Sequence, residues 1–120
     1  MEWKRRLFLQ IFRAEIEDLE DEIRKIEEIH RRRLENKEIT GYVFQENWAL
    51  LQKEVLALKE IVREIDLDAI GSCQSLEECA DRVEEIVRKE ITELEAPEYV
   101  FELASRKVRK ILRYMTIPEA

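Results

Sequence analysis

Apolar side chains recur along this chain at alternating steps of three and four residues, the spacing that keeps them on one side of an α-helix. The longest clean run is Phe44, Trp48, Leu51, Val55, Leu58, Val62 and Ile65. A second stripe, Val43, Leu50, Ala57 and Ile61, lies beside it, so this segment is apolar over more than one face. Such a helix is expected in the middle of a bundle, with the others packed around it. A matching seam precedes it: Leu9, Phe12, Ile16, Leu19, Ile23, Ile26 and His30. Two shorter ones follow, running from Leu76 through Val83 and Val87 to Ile91, and from Phe101 through Ala104, Val108 and Ile111 to Met115.

The backbone breakers fall between these segments and never inside one. Gly41, Gly71, Pro97 and Pro118 divide the chain into four predicted helices, at about residues 3–37, 42–66, 75–95 and 97–115. Ser75-Leu76-Glu77-Glu78 is a capping box, which fixes the start of the third. The expected fold is therefore all-α and four-helix bundle-like, a single domain over residues 1–120. A long antiparallel hairpin of the first two helices would pack with a shorter pair formed by the last two.

The two long helices do not match in length. At the helical rise they span roughly 50 Å and 36 Å, leaving about 10–15 Å of the first without a partner in the hairpin. With the excess at the N-terminal end, Trp3, Leu7, Phe8, Ile11 and Phe12 need another surface. The third and fourth helices could supply it, or a second subunit; the expectation is a homodimer with these five residues at its interface.

Composition narrows the picture further. Of 120 residues, 45% are hydrophobic and 41% charged, enough for one real core and a heavily charged surface. The scarcity of Asn and Gln beside abundant Glu, Lys, Arg and Ile resembles a thermophile's usage. A net charge of −7 argues against broad nucleic-acid binding, which needs positive surface to release counterions. The basic clusters at Lys4-Arg5-Arg6, at Arg31-Arg32-Arg33 and between Arg106 and Arg113 lack interleaved aromatics and read as solvated or salt-bridged faces. The last faces an acidic third helix, and opposite signs favour packing the two side by side. No apolar run is long enough for a membrane span, and Cys73 and Cys79 are too few for a disulfide scaffold. A cytoplasmic protein that engages neither membrane nor nucleic acid is the expectation.

Three residue patterns point to chemistry. Glu27 and His30 form Glu-x-x-His on one helical face, which resembles the ligand motif of ferritin-like proteins. That resemblance implies Fe or Mn held between two copies of the chain, since one motif supplies half a site. Glu60 and Glu64 on the second helix, with Glu78 and Asp81 on the third, are similar to the carboxylates of the all-α nucleotide pyrophosphatases. This implies Mg²⁺-dependent hydrolysis, because a hard cation carrying a polyphosphate needs several oxygen ligands. The chain departs from the pattern where Arg63 stands in place of the first half-motif's second acid. The segment from Phe12-Arg13 to Ile26 resembles the first helix of the helical chorismate mutases, but His30 occupies the place of their second arginine. That leaves the likeness in architecture and not in activity. The reading drawn from the whole is a non-catalytic, cofactor-free interaction or assembly module that self-associates through apolar helix faces and could also take a protein partner. A metal-dependent hydrolase or carboxylate metal-binding protein, using Mg, Fe or Mn between subunits, is the alternative.

Overall fold

A computed structural model describes residues 1–116. Within them the chain is all-helical, with four helices: α1 (Glu2–Glu35), α2 (Gly41–Glu64), α3 (Leu76–Glu93) and α4 (Glu98–Thr116). Pro118, expected to close the fourth, lies outside the described residues.

Two of the starts are written in side chains. Thr40 Oγ1 accepts the Val43 amide at 3.2 Å to open α2, and Ser75 Oγ accepts the Glu78 amide at 3.1 Å to open α3. Glu78 reaches one residue further back than the capping box requires and takes the Gln74 amide at 2.9 Å. The stops use no glycine. After α1, Lys37 adopts a left-handed φ of 60° while the Glu38 amide bonds the Arg33 carbonyl at 2.8 Å. After α3, Glu95 does the same at φ 51°, with the Ala96 amide on the Ile91 carbonyl at 3.0 Å. Both are Schellman closures in which an L side chain stands where glycine is easier.

α1 and α2 lie side by side in opposite directions: Arg13 meets the Ile65 carbonyl at 3.1 Å, and Glu27 meets Gln52 at 3.2 Å. α3 and α4 form a second antiparallel pair. Arg109 bridges Glu84 at 2.8 Å and Asp81 at 3.2 Å, and Arg88 bridges Glu98 at 2.6 Å. The opposite charges of these two helices thus meet, though Lys107 and Lys110 turn to Glu15 of α1, at 2.9 and 3.2 Å. One continuous core runs through all four helices and the α2–α3 connection, where Ile65 and Ile70 are fully buried. Arg5 donates to the Cys73 carbonyl at 2.8 Å, so Arg5 and Arg13 both pin that connection onto α1.

The five residues expected at an interface differ in their surroundings within the single chain. The N-terminal overhang of α1 is covered by the chain's own α2–α3 connection and by α3 and α4. Phe8 and Phe12 are fully buried, Leu7 and Ile11 are half-buried, and Trp3 alone of the five is exposed, at 63%. Toward its other end the hairpin is open along one flank, although Phe44 stays buried beneath Arg31. There α2 is not the enclosed post that its two stripes implied: Tyr42, Val43, Trp48 and Leu50 are all exposed. The start of α4 stands beside this region, with Tyr99 and Leu103 lining one groove together with Ile26 and Leu50.

The two cysteines are free, buried and within hydrogen-bonding reach of each other. Burial, reinforced by the adjacent Cys73, pushes the Cys79 thiol up to about 12. A thiol held protonated is a poor nucleophile. Cys79 in the folded protein is therefore expected to resist iodoacetamide at neutral pH over hours and to alkylate within minutes in denaturant. Peptide mass spectrometry reads both rates, and equal rates would contradict this placement.

Candidate functional site

The second stripe of α2 has more members than its apolar residues reveal. Val43, Asn47, Leu50, Glu54, Ala57 and Ile61 follow at alternating steps of four and three, so all six share one flank of the helix. Ala57 and Ile61 are fully buried, whereas Val43 and Leu50 are 40% and 42% exposed. The stripe is covered at one end and open at the other, and Glu54 sits at the transition.

At that point a groove of about 310 Å³ opens between α1, α2 and the first turn and a half of α4. Leu19, Ile23 and Ile26 form one wall, Leu50 and Leu51 the other, and Tyr99 and Leu103 the end. Four polar side chains also line it: Glu22 and His30 from α1, Asn47 and Glu54 from α2. Glu54 is only 2% exposed and its Oε1 has no hydrogen-bond partner; His30 Nδ1 is likewise buried and unpartnered. Burial pushes the Glu54 carboxyl above the ordinary carboxylate range, with no cation beside it to oppose the shift. Two orphaned polar atoms in one apolar groove are unusual, since buried polar groups are nearly always paired. The sequence signal for Glu54 is its position on the stripe, four residues after Leu50 and three before Ala57.

The carboxylates singled out from sequence do not gather. Glu27 accepts from Gln52 and pairs with Arg31 at 3.6 Å, on a flank of α1 apart from the groove that His30 lines. Glu60 pairs with Arg63 at 2.8 Å. Glu64 faces Glu90 of α3, whose carboxyl is pushed up by burial first and by the neighbouring Glu64 second. Glu78 is taken by the start of α3, and Asp81 by Arg109. Among the described residues no three His, Cys, Asp or Glu side chains come together closely enough to hold a metal ion. Arg13, the cation of the chorismate mutase-like segment, holds the Ile65 carbonyl. Comparison with protein-family models, with curated proteins and with solved structures finds no match to this chain. No helix among the described residues is long and apolar enough to cross a membrane.

Proposed function

We propose that this protein is a non-catalytic assembly module that pairs with a second copy of itself through the open end of the α1–α2 hairpin. The observation that carries the reading is the half-covered stripe. Val43 and Leu50 on α2, with Ile26 and Ile29 on α1 at 43% and 47% exposure, continue the core's own apolar pattern past the point where α4 ends. A contiguous exposed apolar surface is the usual mark of an interface.

A second copy is favoured over other occupants by charge. Residues 22–54, which make up this end of the hairpin, carry seven basic and seven acidic side chains, so the chain's whole net charge of −7 lies elsewhere. Two copies repel each other least when they meet end-on at these neutral segments. The meeting would be two-fold and isologous, the same four apolar residues facing their counterparts, and two hairpin ends so joined complete a local four-helix arrangement.

Val43→Glu places a charge in that contact without touching the covered core. It is expected to weaken the dimer at least a hundredfold, about 2.7 kcal/mol, as read by sedimentation equilibrium. Tyr114→Glu, at a position 66% exposed on α4, serves as the control and is expected to leave association unchanged. Equal dissociation constants for both variants and the unaltered protein would remove the hairpin end as the contact.

A further inference from the structure

We propose that the groove between α1, α2 and the start of α4 is a binding site for a small apolar molecule bearing one protonated amine. The site belongs to the single chain: Ile26 and Leu50 line the groove and also lie in the proposed contact, so self-association competes with the ligand and the two are tested separately. Its volume of about 310 Å³ is at the small end of the range for small-molecule sites. The walls supply apolar burial, and Tyr99 offers an aromatic ring near the rim.

The polar atoms set the charge of the ligand. Glu54 lines this space, is only 2% exposed, and has a carboxylate oxygen with no hydrogen-bond partner in the protein. With the ring proton on Nε2, His30 Nδ1 is a second acceptor, also vacant of any protein donor. Asn47 also lines the groove, and its side-chain amide carries a carbonyl that can serve as a third. No Lys or Arg lines the groove, and Glu22 adds a second carboxyl. An ammonium has three hydrogens to donate and a charge that Glu54 lacks within the protein. A carboxylate ligand would meet two acidic groups and no cation. A neutral ligand would bury the apolar surface and leave Glu54 unpaired.

Tryptamine is a suitable probe, with 3-ethylindole and indole-3-propionate as neutral and anionic molecules of similar shape. Titrations of the full chain, followed by NMR at Leu50, Leu103 and His30, are expected to give saturable shifts with tryptamine at least tenfold tighter than with either counterpart. Glu54→Gln is close in shape, removes the carboxylate and should weaken tryptamine at least tenfold. Leu50→Arg puts a resident cation at the rim and should do the same, with folding of both variants checked by circular dichroism. Val43→Glu, which does not line the groove, should retain tryptamine whatever its oligomeric state, and this separates the site from the assembly reading. Absence of saturable shifts with tryptamine, equal binding of the three probes, undiminished binding in folded Glu54→Gln or Leu50→Arg, or loss of binding in Val43→Glu would each overturn the proposal.

Discussion

Phe12→Ala is expected to cost about 3–5 kcal/mol, much of the stability of a chain this size. Phe12 is fully buried among side chains that belong to the same continuous core, together with Phe8 and Ile16. Removing its ring loses the transfer free energy and leaves a cavity that helices pinned by Arg5 and Arg13 cannot close. Urea unfolding followed by circular dichroism should show a large fall in midpoint with a similar slope. Trp3→Ala, one turn from the chain start and 63% exposed, should stay within about 0.5 kcal/mol. A loss below 1 kcal/mol for Phe12→Ala, accompanied by dissociation, would return the overhang to the role of an intersubunit surface.

Glu54→Gln is expected to stabilise the protein at pH 8 by about 1–3 kcal/mol, because the amide keeps the shape of the side chain and spares the cost of burying an unpaired ionised carboxylate. At pH 4 the two proteins should be nearly equal. The Glu54 carboxyl lies above its ordinary value of 4.5 in the folded chain because burial penalises the ionised form. A carboxyl raised on folding favours the folded state below its unfolded value, and that contribution is lost as pH rises through the folded value. Stability should therefore decline as pH climbs from about 4.5. The groups that share its groove are Glu22 and His30 from α1 and Tyr99 from α4, and no Lys or Arg lines it. Glu20 and Glu90, also raised by burial, act in the same direction. Glu15 opposes them at the acid end: its hydrogen bond to Lys107 lowers its value, so that contribution is lost as pH falls. A pH profile unchanged by Glu54→Gln would show that the carboxyl is solvated.

Much of the helical framework was legible because it rests on local rules. The three-and-four spacing located every helix, and Ser75 with Glu78 fixed one boundary through a single side-chain bond. The stops were less readable, since Lys37 and Glu95 take a left-handed conformation that their side chains do not advertise. Which end of α1 overhangs bare was not legible either. That depends on where α3 and α4 fold back, and the deciding bonds run from Arg5 and Arg13 to backbone carbonyls, which have no sequence signature. The metal-like spacings do not gather within one chain for a related reason. A carboxylate takes its nearest cation or amide, as Asp81 takes Arg109 and Glu78 takes the Gln74 amide, whatever motif its spacing resembles. Glu54 was hidden because a charge is ordinarily assumed to face water. Its place on the stripe of Val43, Leu50 and Ile61 outweighs that assumption.

Self-association through the uncovered half of that stripe is the central claim, and solution mass tests it most directly. Multi-angle light scattering at micromolar concentration should return twice the 14.5 kDa chain mass for the unaltered protein and the single-chain mass for Val43→Glu. A 14.5 kDa particle for the unaltered protein, or a dimer undisturbed by the added charge, would contradict the account.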